Sequence, residues 1–259
     1  VTNSPREAKE LPGNNDACGK FDFVGGTYNG MNMVVGMTFS SDTPGANFYS
    51  TLTGNKAYFI LENIFIFIGN NISCEDNYDV ETIIENRKLN GKFYIGNKEI
   101  NDKEGVVSSN YIYIENYGGI YIPDYTNVKY SITNNDFLEI YIEHGRKIRN
   151  SSYNYFILPK IGKNEIEKYI HNIEIISNNN KITAIQNKNN NIKEYIFWEK
   201  GKIGDLEVDN PCILIINGNE LFISDPTQKI DFINITFGED IYKVKLSKGY
   251  TTKINIKSI

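Results

Sequence analysis

Runs rich in β-branched and aromatic residues recur along most of the chain, and Gly, Asn and Asp clusters punctuate them at short intervals. That pattern predicts strands over Lys20–Val24, Met31–Phe39, Lys56–Leu61, Ile64–Ile68, Val80–Arg87, Lys92–Ile95, Tyr111–Glu115, Val128–Ile132, Phe137–Glu143 and Tyr153–Leu158. Residues 1–18 read as an irregular lead-in. Glu62-Asn63 suggests a two-residue hairpin turn with Asn63 at positive φ. Ile64 to Ile68 is apolar at every position, as suits a strand buried on both faces, and so predicts sheets stacked on one another. One segment breaks the pattern: Ile166, Tyr169, Ile170 and Ile173 follow i, i+3, i+4, i+7, with Asn164 as N-cap and Glu167 three residues on. After this short helix come eight more strands: Glu174–Ile176, Ile182–Gln186, Ile192–Trp198, Cys212–Ile216, Glu220–Ser224, Phe232–Phe237, Tyr242–Lys245 and Thr252–Ile256. The expected fold is all-β, with one domain over residues 1–162 and a smaller sandwich over 163–259.

Composition agrees with strands: 18 Tyr and 14 Phe in 259 residues favour pleated, half-buried surfaces. The net charge of −5 and the lack of a Lys/Arg run argue against a nucleic-acid partner. No apolar run reaches the roughly 20 residues of a membrane span. Cys18, Cys74 and Cys212 are far apart and only His144 and His171 accompany them, so no zinc spacing and no other metal or cofactor site is expected. Buried free thiols are the expectation, a single disulfide the alternative. The chain starts at Val1 without a signal peptide and reads as a piece of a longer polypeptide.

The candidate chemistry is sparse. A glycoside hydrolase needs two carboxyls about 5–9.5 Å apart. Glu81 and Glu85, and likewise Glu139 and Glu143, read as sharing strand faces, but four strand residues span roughly 13 Å. His144 continues the apolar face of Leu138, Ile140 and Ile142; its ordinary reading is a hydrogen-bonded histidine that orders a turn, its sharper one a substrate contact. Arg87 shares a face with Glu85, so the choice is between an ion pair and a clamp on a sugar carboxylate. Tyr111, Tyr113, Tyr117 and Tyr121 surround Gly118-Gly119 and are either packing residues or a platform for sugar rings. Gly25-Gly26 and Gly118-Gly119 lack the context of phosphate loops. The substrate-binding candidates are therefore Arg87, Tyr113, Tyr117 and His144; there is no catalytic candidate.

Several motifs occur in a meaningful order: Leu11-Pro12-Gly13, Gly25-Gly26 through Met37, the hairpin from Tyr58 to Gly69, Glu81-Thr82 with Glu85-Asn86-Arg87, His144-Gly145 with Tyr153 to Pro159, Asn210-Pro211-Cys212, and Asp225-Pro226-Thr227-Gln228. Together they resemble the back half of polysaccharide lyase family 8, the hyaluronate, chondroitin and xanthan lyases. The resemblance implies the latter part of a large β supersandwich followed by a smaller antiparallel β-sandwich. It also implies a parent enzyme, secreted or at the cell surface, that cleaves an acidic polysaccharide by β-elimination. The family's catalytic Asn, His, Tyr and Arg sit on an upstream α/α toroid and in the segment just before the Leu-Pro-Gly turn, so this chain is expected to lack them and to have the toroid as its partner. Some members bind calcium near the start of the sheet region; Asn14 to Lys20 offers only Asp16. A non-catalytic carbohydrate-binding or structural β-sandwich protein is the alternative.

Overall fold

The computed structural model describes residues 20–41, 50–133 and 136–257; Leu11-Pro12-Gly13, Asp16 and Cys18 lie outside the described residues. The strands are β1 (Val24–Tyr28), β2 (Met33–Ser40), β3 (Thr53–Leu61), β4 (Ile64–Ser73), β5 (Val80–Lys88), β6 (Phe93–Ile95), β7 (Lys98–Glu99), β8 (Glu104–Val106), β9 (Tyr111–Ile114), β10 (Gly118–Tyr121), β11 (Val128–Ile132), β12 (Phe137–Gly145) and β13 (Ser151–Pro159). Helix α1 (Ile166–Ile170) follows, then β14 (Ile173–Asn178), β15 (Ile182–Asn187), β16 (Ile192–Phe197), β17 (Gly201–Ile203), β18 (Leu206–Val208), β19 (Cys212–Asn217), β20 (Glu220–Ser224), β21 (Phe232–Phe237), β22 (Asp240–Lys245) and β23 (Thr252–Asn255).

These strands form four antiparallel sheets. The first has nine strands in the order β1-β2-β3-β4-β13-β10-β9-β6-β7, and the second is β5-β12-β11-β8. The third is β14-β15-β16-β19-β20-β23 and the fourth β17-β18-β21-β22. They stack with the second on one face of the first, the third on its other face, and the fourth outermost on the third. Three apolar cores fill the gaps. One includes Ile84, Ile112, Ile120, Leu138 and Ile140; the next joins Ile66, Ile68 and Leu158 to Ile185, Ile196 and Ile213; the last holds Phe197, Leu214, Ile223 and Ile235. The middle core spans the junction, so the C-terminal sandwich is packed onto the nine-stranded sheet rather than tethered to it.

The all-apolar run in β4 shows why. Ile64, Ile66 and Ile68 point into the middle core, while Phe67 stacks on Tyr155 with ring centroids 4.7 Å apart on the opposite face. Phe65 and Phe67 are only partly covered, so the second face is less enclosed than the sequence pattern suggests. The hairpin between β3 and β4 does have the two-residue loop Glu62-Asn63, but neither residue has a positive φ. The helix differs too. A 3-10 turn over Lys163–Glu165 precedes α1, and the Gly162 N–H donates to the Glu165 carboxylate at 3.0 Å. The reciprocal cap is thus made by Glu165, not by Asn164 with Glu167. The first strand starts at Val24 rather than Lys20, and β7, β8, β10, β17 and β18 were not foreseen.

Two polar seams cross the junction. In one, the Thr27 hydroxyl donates to the Ile213 carbonyl (2.8 Å) and lies 2.6 Å from the Ser224 hydroxyl, which donates to the Gly26 carbonyl (2.9 Å). Beside it, the Asp225 carboxylate accepts from the backbone N–H groups of Thr227, Lys229 and Ile230 and from the Thr227 hydroxyl. That folds Asp225-Pro226-Thr227-Gln228 into a tight loop. Pro226 rests on Gly25, where a Cβ would come within 2.9 Å of the proline Cα. Two sequence motifs some two hundred residues apart thus meet in one close contact.

In the second seam, Asn70 accepts from Asn55 Nδ2 (3.0 Å) and donates to Asn178 Oδ1 (2.9 Å) and Thr183 Oγ1 (2.7 Å). Trp198 Nε1 donates to the same Thr183 oxygen at 2.9 Å. Asn70→Ala leaves the Asn55 amide and the Asn178 carbonyl oxygen unpaired in a buried seam. Its expected cost is about 2–3 kcal/mol, read as a lower midpoint in urea with unchanged slope. Cys74 and Cys212 are free, buried thiols.

Candidate functional site

Chemically capable side chains gather in four places. The first surrounds His144, near the C-terminal end of β12. The face alternation expected from sequence holds, and His144 points between the first and second sheets, its ring 6.3 Å from that of Tyr153. Nε2 lies 2.8 Å from Thr82 Oγ1 and Nδ1 lies 2.9 Å from Ser151 Oγ. Burial holds its pKa down at about 4, so the ring is neutral at physiological pH, with one nitrogen donating and the other accepting. It lines a polar hollow of about 190 Å³ with Asp124, Asn127 and Ser152, smaller than the ~300 Å³ at which ligand pockets begin.

The second place is set by a bulge. β5 carries one extra residue between the pairs Tyr141↔Ile83 and Ile140↔Glu85. The bulge turns Glu85 and Arg87 inward, opposite Ile140 and Leu138, and leaves Glu81 outside. Glu81 and Glu85 therefore do not share a face, contrary to the sequence expectation. Arg87 Nε lies 3.1 Å from Glu85 Oε1, and its guanidinium carbon sits 3.5 Å from the centre of the Tyr117 ring. This is the ion pair of the ordinary reading with a cation–π contact added. Burial, reinforced by Glu85, pushes the Tyr117 phenol above its usual range. A phenol that is to take a proton needs the opposite shift.

Third, the outer face of the second sheet sets Glu81 directly across from Glu143, with Glu139 on the same face. Burial and the neighbouring carboxylates raise the Glu81 pKa, while Lys129 pairs with Glu143 at 2.7 Å. Sequence could not reveal this cross-strand pair, because only the register creates it.

The fourth is a groove where the third sheet stops short of the far end of the first. Tyr111 and Tyr113 on β9 and Tyr94 on β6 face it, beside α1. Tyr121 packs on Tyr111 with centroids 5.3 Å apart. The structure thus separates the four substrate-binding candidates: Arg87 and Tyr117 are together, His144 is in its own hollow, and Tyr113 is on the opposite face of the first sheet. Sequence reasoning passed over Lys163 and Glu167, which share the groove with Tyr113. In the sequence Glu167 is visible only as a residue of the short helix, and Lys163, just before it, carries no signal. Among the described residues, no three of His, Cys, Asp and Glu gather as metal ligands, and no helix is long and apolar enough to cross a membrane.

Stacked antiparallel sheets carrying aromatic and acidic surfaces define an all-β scaffold of the supersandwich type. Residues 2–170 match the super-sandwich domain of polysaccharide lyase family 8, and residues 174–234 its C-terminal β-sandwich domain. The chain belongs to polysaccharide lyase family 8.

Among its relatives, chondroitinase-AC of Pedobacter heparinus is 25% identical over 245 residues, which cover 82% of this chain and 33% of that protein. A hyaluronate lyase of Thermasporomyces composti is 22% identical over 256 residues, covering 86% and 32%. A Paenibacillus xanthan lyase structure superposes with TM-score 0.79 at 21% identity, over 97% of this chain and 31% of that one. A chondroitinase AC lyase structure gives TM-score 0.79 at 20% identity, over 90% and 40%. The chain spans about a third of the length of the curated relatives it matches.

Proposed function

We propose that this chain is the β portion of an extracellular lyase that cleaves a uronic-acid-containing polysaccharide by β-elimination. In that reaction the proton on C5 of the uronate leaves, the C4–O bond breaks, a C4=C5 double bond forms, and the departing sugar takes up a proton. The observation that carries the reading is the colinear family match through both β domains. Two facts favour placing the chemistry upstream, on an α-helical toroid that these sheets support. His144 has both nitrogens engaged and is neutral. Tyr117 is held protonated beneath Arg87. A division near residue 162 belongs to the same reading, supported by strand ladders that stay on either side of it. The polymeric substrate, too large to enter a cell, is the reason for an extracellular site of action.

The test follows the ultraviolet absorbance of unsaturated uronate as product forms from hyaluronan and chondroitin sulfate. The expected result is a flat trace for the purified 259-residue chain and a rise for the longer gene product that contains it. A rise with the verified short chain would overturn the placement of the chemistry. A flat trace with the longer product on all acidic substrates would overturn the lyase reading.

A further inference from the structure

We infer that the groove between β9 and α1 binds an acidic saccharide, with Tyr113 as the stacking platform and Lys163 as the contact for carboxylate or sulfate. The inference rests on the lyase reading for the class of ligand, and on the following geometry for the site.

The first sheet is nine strands wide and the third is six. β10 is covered by α1, whose Ile166 rests against Gly119. Beyond α1, the outward face of β9 and β6 lies outside the middle core except at Tyr111. Because side chains alternate, Ile112, Ile114, Phe93 and Ile95 fill the core beneath; on the other face Tyr111 packs with Tyr121 against the edge of the middle core, and Tyr113 and Tyr94 are left beyond it. The loop at Gly96-Asn97 and Ser109 form one wall; Lys163, Asn164 and Glu167 form the other. The open groove offers about 320 Å³, at the lower end of the range of small-ligand sites and enough for one or two sugar rings.

Ser109 Oγ accepts the Tyr111 N–H at 3.3 Å, but most of the other polar side chains around this volume are not engaged by the described residues. The phenol groups of Tyr111 and Tyr113 and the side chains of Asn97, Asn164 and Glu167 make no hydrogen bond to another described residue. Lys163 Nζ donates to the Asn97 carbonyl at 3.3 Å and sits 4.1 Å from the centre of the Tyr94 ring. It is therefore held at the rim with donors to spare, because an ammonium has three. A half-buried aromatic ring offers its negative face to the C–H face of a pyranose. Amides and a carboxylate beside it suit hydroxyl groups, and the ammonium suits an acid substituent. Purely structural tyrosines would have their rings covered or their phenols bonded, as Tyr155 and Tyr117 have on the other side of the sheet.

The test is calorimetric titration of the 259-residue chain with a chondroitin sulfate tetrasaccharide and, separately, with uncharged chitotetraose. Thermal midpoints verify that each variant is folded. Tyr113→Ala is expected to weaken the acidic tetrasaccharide about tenfold. Lys163→Gln, a surface change that spares the fold, is expected to weaken it severalfold and to flatten its salt dependence. Folded variants that bind as tightly as the parent would overturn the site, as would a parent chain that does not bind. Equal affinity for chitotetraose would overturn the acidic class. Product formation by the longer gene product is read separately: cleavage without binding here sinks the groove alone, and binding here without cleavage there sinks the lyase reading alone.

Discussion

Gly118→Ala is expected to destabilise the chain by about 4 kcal/mol or more and to lower its thermal midpoint by roughly 10 °C. Gly118 opens β10 with φ +138°, a conformation that residues with a Cβ rarely adopt. A Cβ there would stand 2.2 Å from the Leu158 carbonyl oxygen and 2.8 Å from the Lys160 nitrogen. Both are backbone atoms of the neighbouring chain segment, and Lys160 N–H is bonded to the Tyr117 carbonyl at 2.7 Å. Relief therefore requires prying β10 from β13 inside the nine-stranded sheet. Gly145→Ala provides the comparison. Its φ is +88° but the space around it is open, so only backbone strain of about 1 kcal/mol is expected. Equal melting temperatures for the two variants would show that the β10–β13 contact yields, and would discard this account.

Glu194→Gln is expected to stabilise the chain increasingly as pH rises from about 5 to 8. Glu194 lies on β16, facing the middle core, and is 1% exposed. Among the described residues neither carboxyl oxygen is in full hydrogen-bonding geometry, although the Asn32 amide stands beside it and draws its pKa down against the effect of burial. Burial pushes its pKa up to about 8 from an ordinary 4.5. Between those values the folded chain holds a proton that the unfolded chain has released. Stability therefore falls as pH rises through this window and levels off above it. Glutamine has no such dependence. At pH 8 the variant gains about 4 kcal/mol, or roughly 10 °C in midpoint; below pH 4.5 the two chains differ little. Melting curves at half-unit pH steps decide the matter, and parallel pH profiles would mean that Glu194 is ionised in the folded state.

Both sites show how far sequence reaches. The strand pattern was legible because sheets favour runs of β-branched and aromatic residues bounded by turn residues, and β2, β4, β12, β15 and β20 lie where those runs place them. β10 was missed although it lies inside the widest sheet, between β13 and β9. It begins with two glycines, which read as a turn. Their real cause is the backbone of residues 158–160 against Gly118 and Ile166 against Gly119. Glu194 shares the face of Ile192 and Ile196 on the alternation, yet a glutamate is read as exposed by default. Only the docking of the third sheet on the first buries it.

The candidate site divides in the same way. The inward face of His144 and the pairing of Glu85 with Arg87 followed from local spacing. The separation of Glu81 from Glu85 did not, because a single extra residue at Ile84 reverses the faces beyond it. Nor did the Glu81–Glu143 juxtaposition or the Tyr113–Lys163–Glu167 groove, each of which joins residues from different strands or layers. By itself, the sequence determined the all-β class, the short helix at the junction and the family, since these depend on periodicity and on motifs read in order. Tertiary structure alone decided which strands are neighbours, which carboxylates are buried and where a ligand has room. Those outcomes depend on register and on the stacking of sheets of unequal width, and neither is encoded in any one stretch of chain.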